Sequence, residues 1–149
     1  MGCRDVGHRD GQSLRSDFKV MGQRKKAREL ALKCLYAYES TGQEVNDVCE
    51  SLIKTSDLNE DSVLYADRLF RKVVESLREL DINIERFSQN WRIDRIAMVD
   101  KNILRLAICE LVSFPDIPAR VAINEGVELA KKYSSQESSR FVNGLLDAV

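Results

Sequence analysis

The chain has 149 residues, of which 44% are hydrophobic and 32% are charged, enough to bury the core of one soluble domain without disulfide bonds. Its formal net charge of −1 conceals an asymmetry, because residues 1–28 carry eight lysines and arginines against three acids, whereas residues 29–149 carry fifteen against twenty-one. No stretch is apolar enough for a signal peptide or a membrane span, and the basic end predicts either an arm that meets an anion or a tail whose charge has no specific partner.

The sequence contains no recognisable catalytic motif or metal-ligand spacing. The four cysteines show no metal-ligand spacing, and Cys34, Cys49 and Cys109 fall on apolar helical stripes, which predicts reduced thiols in a reducing, cytoplasmic compartment. The only histidine, His8, lies in a glycine-rich tail, so a histidine base or a multi-histidine metal site is excluded. Because no glycine-rich phosphate loop or nucleophile motif occurs either, we predict no catalytic activity, no metal and no cofactor.

The first twenty residues differ in character from the rest. They hold three of the seven glycines and show no sustained apolar period. We therefore expect residues 1–22 to form a disordered extension, with Met21 as an alternative start, and residues 23–149 to form a single folded domain.

Apolar residues at helical spacing predict the elements that follow. One amphipathic helix is expected over residues 27–38, ended by a Thr-Gly pair, and a second over 45–53, followed by a polar loop. A third is expected over 63–80, and a short fourth over 81–89.

The longest apolar-periodic run, residues 93–114, predicts a central helix around which the others pack. Its apolar residues cover much of the circumference, so it needs neighbours on several sides. Two acids, Asp100 and Glu110, fall within the apolar arc, where an unpaired carboxylate is costly; each requires a protein partner, a wet edge or a binding partner. The polar residues expected on the remaining face are Asp94, Arg95, Lys101, Asn102 and Arg105.

Two prolines interrupt the pattern after the central helix, since each lacks an amide hydrogen. A helix is then expected over 121–133, with Glu125 on its exposed face, and a last helix with Ser138 or Ser139 as its N-cap. No alternating strand pattern occurs. The chain is therefore predicted to be all-α, a compact bundle of about six or seven helices.

Four cations in five residues, Arg24-Lys25-Lys26-Ala27-Arg28, open the first predicted helix. Cations are unfavourable there, because a helix N-terminus is already positive. Binding a polyanion would offset that cost, since cations and free amides would meet the same phosphates; the alternative is a solvated helix end.

A second candidate surface alternates cations and aromatic rings across the last turn, as in proteins that hold single-stranded RNA by stacking and phosphate contacts. The alternative is that its aromatic rings belong to the core, because they also fall on apolar stripes. Its residues are Lys131, Lys132, Tyr133, Arg140 and Phe141.

Three blocks of the sequence together resemble the NusB family of bacterial transcription antitermination factors, over about residues 23–149. They are RKKARELALKCLYAYES, DRIAMVDKNILRLAICEL and, above all, the long block DIPARVAINEGVELAKKYSSQESSRFVNGLLDAV.

The resemblance implies an all-helical fold of two packed helical subdomains without catalytic activity. It further implies binding to the boxA element of ribosomal RNA leader transcripts, together with the small-subunit ribosomal protein NusE, within an RNA polymerase complex that resists termination. A homodimer is an open alternative, because some relatives self-associate. The rival hypothesis is a helical protein-protein scaffold without specific RNA binding.

The resemblance also assigns roles to individual residues. The family's arginine-rich, phosphate-contacting motif falls on Arg24, Lys25, Lys26 and Arg28. The two lysines keep the charge but lose the planar guanidinium that bidentate and stacking contacts require. The family's second RNA-facing region falls on Arg140 and Phe141, and its partner surface on Tyr36 and Asp100, so Asp100 is expected to face a groove that the partner fills.

Overall fold

The computed structural model describes the backbone of residues 2–88 and 92–149 and the side chains of residues 22–88 and 92–149. Within these ranges the chain forms seven α-helices and no strand, which confirms the all-α prediction. They are α1 (Gly2–Thr41), α2 (Val45–Val48), α3 (Glu60–Glu75), α4 (Leu77–Phe87), α5 (Met98–Ser113), α6 (Ala119–Tyr133) and α7 (Gln136–Ala148). The backbone of residues 2–22 belongs to α1, and the predicted division into an extension of residues 1–22 and a domain of residues 23–149 stays a prediction.

Helix α1 ends where the sequence predicts. Gly42 follows its last residue with a φ of +72°, the left-handed conformation that closes a helix and that glycine adopts without steric cost. Its beginning differs from the prediction, because the helix already runs through residues 24–28 and does not start there. The amides of these residues are therefore inside a helix, and the predicted convergence of free amides and cations is wrong.

The predicted helix over residues 63–80 is divided into α3 and α4. Ser76 joins them with a φ of −102° and a ψ of 12°, outside the helical region, so the helix is interrupted at this residue. Upstream, the predicted helix over 45–53 consists of α2 continued by a π-helical turn, Cys49–Ile53.

Helix α5 is the predicted central helix, although it begins later, after a short 3-10 turn at Ile93–Arg95. It contacts α1, α3, α4, α6 and α7, as the broad apolar arc requires. Two residues expected on its exposed face are buried, Asn102 at 1% and Arg105 at 5% exposure. That prediction is wrong because Arg105 is bound by acids of two other helices, Asp81 of α4 at 2.7 and 2.8 Å and Glu39 of α1 at 2.8 Å.

The last two helices pack closely on α5. Ser135 caps α7, its Oγ accepting a hydrogen bond of 3.0 Å from the amide of Ser138, so the predicted cap at Ser138 or Ser139 is three or more residues late. Gly126 of α6 lies at the crossing of α5 and α7, where a Cβ would come within 3.1 Å of both Ala107 and Leu146.

The helices form two packed groups, which correspond to the predicted subdomains. Helix α1 packs mainly on α3, whereas α6 packs on both α5 and α7. Three cysteines lie buried as free thiols, as predicted, and burial raises the pKa of Cys34 and of Cys109 to about 12. No helix among the described residues combines the length and apolarity needed to cross a membrane.

Candidate nucleic-acid interface

The four clustered cations of α1 point in two directions. Lys25 and Lys26 are exposed, whereas Arg24 and Arg28, one turn apart on the other side of the helix, turn towards the rest of the molecule. Neither lysine has an ion-pair partner among the side chains that the structure describes. Lys25 and Lys26 therefore form a free cationic surface, whereas Arg24 and Arg28 anchor the helix to the rest of the molecule.

Arg28 is the anchor. Its side chain is only 3% exposed, and its Nε donates to both carboxylate oxygens of Glu110 on α5, at 2.8 and 2.9 Å. A second acid, Glu125 of α6, lies 3.8 Å from its Nη1. Burial alone would lower the pKa of Arg28, but the hydrogen bond and charge of Glu110 more than compensate and hold that pKa above its usual value. This enclosed position differs from the surface role expected of Arg28, since its guanidinium already faces two acids.

Glu110 therefore has the internal partner that its place in the apolar arc requires. The hydroxyl of Tyr65 on α3 also donates to this carboxylate. Burial, followed by the nearby negative charge of Glu110, raises the pKa of Tyr65 well above its ordinary value, so the phenol stays protonated. Arg28, Glu110 and Tyr65 thus join α1, α5 and α3 through one buried polar cluster.

Sequence reasoning missed two members of this cluster. Tyr65 carries no local signal, because a tyrosine on an apolar stripe looks like any core aromatic residue. Glu125 was expected on an exposed face, but it is half-buried and faces Arg28. Its role becomes visible only in the folded structure, where α6 places Glu125 next to Arg28 of α1.

Arg24 lies between the buried cluster and the surface. Its guanidinium carbon is 4.9 Å from the centre of the Tyr65 ring, within the range of a cation–π contact. Its Nη2 lies 3.5 Å from Asp116, in the loop between α5 and α6, and 34% of its side chain remains exposed. The group is therefore held in place yet accessible to an anion from outside.

The second predicted surface is divided by the fold. Lys132 and Tyr133 both donate to Glu29 of α1, so they tie the end of α6 to α1. Arg140 is exposed on α7, and Phe141 is half-buried at the wall of a pocket of about 370 Å³. The five residues do not form one continuous alternating surface.

Asp100 lines the same pocket as Phe141, together with Arg95 and Glu137. The hydroxyl of Ser138 donates to its Oδ2 at 2.8 Å, whereas its Oδ1 is buried and has no hydrogen-bond partner. A buried carboxylate oxygen without a partner is costly, and because this atom has almost no exposed surface, a donor from a binding partner reaches it only if the pocket wall moves.

Tyr36 is 52% exposed and lines a neighbouring groove of about 190 Å³ between α1, α5 and the end of α6. Val99 belongs to that groove and Asp100 to the pocket, so the two concave sites lie next to each other. The structure therefore brings the two predicted partner-binding residues to adjacent sites.

The cations of α1 and the Phe141 pocket lie at opposite ends of α5. Arg28 binds Glu110, whereas Phe141 lies by Asp100, ten residues earlier and so about 15 Å away along the helix. A single ligand that meets both sites must be extended. Among the described side chains, no group of three or more histidine, cysteine, aspartate or glutamate residues could hold a metal ion.

Comparison with known proteins gives consistent findings. A family model described as the NusB family matches residues 25–149. The chain is 44% identical over 133 residues to a transcription antitermination protein NusB from Myxococcus xanthus, covering 87% of this chain and 95% of that protein. It is 38% identical over 128 residues to the protein of that name from Chloroherpeton thalassium, covering 84% of this chain but only 60% of the relative's length.

Solved structures show the same fold. A crystal structure of the antitermination factors NusB and NusE in complex with double-stranded RNA contains a chain that is 31% identical, with a TM-score of 0.78 and coverage of 86% of this chain and 96% of that chain. A structure of NusB from T. maritima is 35% identical, with a TM-score of 0.76 and coverage of 84% and 88%.

Proposed function

The chain belongs to the NusB family, and we propose that it is a noncatalytic RNA-binding transcription antitermination factor. It binds boxA RNA of ribosomal RNA leader transcripts together with NusE and supports processive transcription by RNA polymerase in the cytoplasm. The observation that carries this proposal is the similarity, over 86% of the chain, to a chain in the solved complex of NusB and NusE with double-stranded RNA. The folded unit that does this is the domain of residues 23–149.

The RNA side of the proposal rests on the free cations of α1. Lys25 and Lys26 are exposed, and Arg24 is held at the surface by Tyr65 and Asp116. Because helix interiors offer no free amides, side-chain charge supplies the attraction to phosphates, and binding should depend steeply on salt. Arg28 keeps this part of α1 attached to α5 through Glu110.

A second RNA contact is proposed at Arg140 and Phe141. Arg140 is exposed for a phosphate, and the half-buried Phe141 offers part of its ring to the pocket. Because these residues lie at the other end of α5 from the lysines, an extended single strand fits both sites better than a compact one.

NusE is proposed to dock at Tyr36 and Asp100. The exposed Tyr36 ring is an amphipathic anchor of the kind enriched in protein interfaces, and Asp100 contributes a carboxylate to the lining of the adjacent pocket. Asp100→Lys should weaken association with NusE and leave the helical circular dichroism unchanged. A homodimer formed through these sites would compete with NusE, which size-exclusion chromatography with and without NusE can detect.

The deciding experiment is a gel-shift titration of a single-stranded boxA RNA oligonucleotide, with and without NusE, at several salt concentrations. The triple variant Arg24→Ala, Lys25→Ala, Lys26→Ala should weaken binding and reduce the slope of log K against log salt by about two units, because each lost contact with single-stranded RNA removes about 0.7. Lys54→Ala, which removes an exposed cation paired with Glu50, is the control. A response to salt that is flat in the wild type would favour the protein-protein scaffold.

A further inference from the structure

Two aromatic rings next to the cationic surface of α1 each make a cation–π contact with an arginine. Tyr65 of α3 and Phe114, at the end of α5, meet edge to face, with ring centres 5.7 Å apart and planes at 74°. The guanidinium carbon of Arg24 lies 4.9 Å from the centre of the Tyr65 ring. That of Arg68, one turn further along α3, lies 4.5 Å from the centre of the Phe114 ring.

We propose that Arg68 is a further RNA-contacting residue and that the Tyr65–Phe114 pair holds Arg24 and Arg68 as one unit. The inference rests on the proposed RNA-binding function and extends its surface from α1 to α3. The class of ligand is the anionic backbone of single-stranded RNA, since a guanidinium whose face rests on a ring keeps its edge donors free for phosphate oxygens.

The surroundings of Arg68 distinguish it from the other arginine on this side of α3. Arg68 is exposed, and none of the acids that the structure describes forms an ion pair with it. Arg71, three residues later, is also exposed, but its Nε bonds both oxygens of Asp67 at 3.1 Å and its Nη1 bonds Asn46 at 3.0 Å. The donors of Arg68 are therefore free for an incoming anion, whereas those of Arg71 already have Asp67 and Asn46 as partners.

A purely structural role is the competing explanation. Phe114 is 1% exposed, so Arg68 could serve only to cover its ring. Covering alone does not require a charge free of ion pairs, and a stacked, exposed arginine is typical of sites that hold phosphate or nucleic acid. The two roles differ in salt dependence, because only a phosphate contact releases counterions.

The test compares Arg68→Ala with Arg71→Ala in the full chain, by titration of the boxA oligonucleotide in the presence of NusE. Both variants remove one positive charge from an exposed site of the same helix. Arg68→Ala should weaken binding about three- to tenfold, the size of one charge-assisted contact, and lower the salt slope by about 0.7. Arg71→Ala should leave the affinity within about twofold and the slope unchanged. Thermal unfolding of each variant shows whether it is folded.

Arg68→Lys separates the contribution of the charge from that of the planar guanidinium. It keeps the charge but lacks the planar group, so the slope should return to the wild-type value while the affinity recovers only in part. Equal effects of Arg68→Ala and Arg71→Ala, or an unchanged slope in Arg68→Ala, would overturn the inference while leaving the proposed function intact. Absence of wild-type binding, or insensitivity to the triple variant of α1, would instead remove the proposed function itself.

Discussion

At the scale of single residues, the position of Arg28 shows how a motif can hold residues with different tasks. The four cations follow one another in the sequence, yet the 100° turn per residue sends Arg28 into the core and leaves Lys25 and Lys26 outside. Glu110, a carboxylate in an apolar arc, signalled that a partner was needed, but nothing in the sequence indicated that Arg28 was that partner. Pairing across 82 residues is a property of the fold.

Arg28→Met should therefore affect stability rather than the salt dependence of RNA binding. It leaves Glu110 buried without its cation, which should lower the free energy of unfolding by about 3–5 kcal/mol, measured by urea denaturation. In the folded fraction at low temperature, the salt slope should match the wild type. Lys26→Ala is the matched comparison, with little loss of stability and a slope lower by about 0.7. A slope that falls equally in both variants would return Arg28 to the phosphate-contacting set.

At the scale of the elements, the tight crossing of α5, α6 and α7 depends on Gly126. A Cβ there would meet Ala107 and Leu146 at 3.1 Å, closer than most such contacts allow. Gly126→Ala should destabilise the protein by about 1–3 kcal/mol, because the helices have to move apart.

Gly144 supplies the control for this substitution. It also lies within a helix, α7, but nothing lies within 4 Å of a Cβ placed there. Gly144→Ala should raise stability by up to about 1 kcal/mol, since alanine favours helix over glycine. If both substitutions shift the thermal midpoint in the same direction, the close approach at Gly126 is not limiting.

The helices also show which structural features the sequence pattern can predict. Every predicted helical segment contains helical structure among the described residues, because apolar spacing reports which face is buried, but the boundaries between the helices differ from the prediction. Apolar spacing did not predict the interruption at Ser76, because both helices continue the same apolar pattern. It also did not predict the burial of Asn102 and Arg105. A polar residue at a buried position is indistinguishable from a solvated one until its partners, here Asp81 and Glu39 on other helices, are brought to it.

At the scale of the whole molecule, α1 is tied to the other helices by carboxylates that must stay ionised. Glu39 meets Arg105 and Lys101 of α5, and Glu29 meets Lys132 and Tyr133 of α6. Burial alone would raise the pKa of both acids, but these hydrogen bonds and charges outweigh it and hold each pKa below its ordinary value. The two acids thus bind protons less readily in the folded protein than in the unfolded chain.

Stability should therefore fall on acidification. A carboxylate with a lowered folded pKa contributes fully above the unfolded value, about 4.3 for glutamate, and loses its contribution as the pH falls through the lower folded pKa. Chemical denaturation from pH 7 to pH 3 should show the free energy of unfolding declining below about pH 4.3. Glu39→Gln should lower the neutral plateau and make that decline shallower, whereas Glu79→Gln, which removes an exposed carboxylate of α4, controls for total charge. If Glu39→Gln keeps the full acid decline, the link from α1 to α5 does not depend on the charge of Glu39.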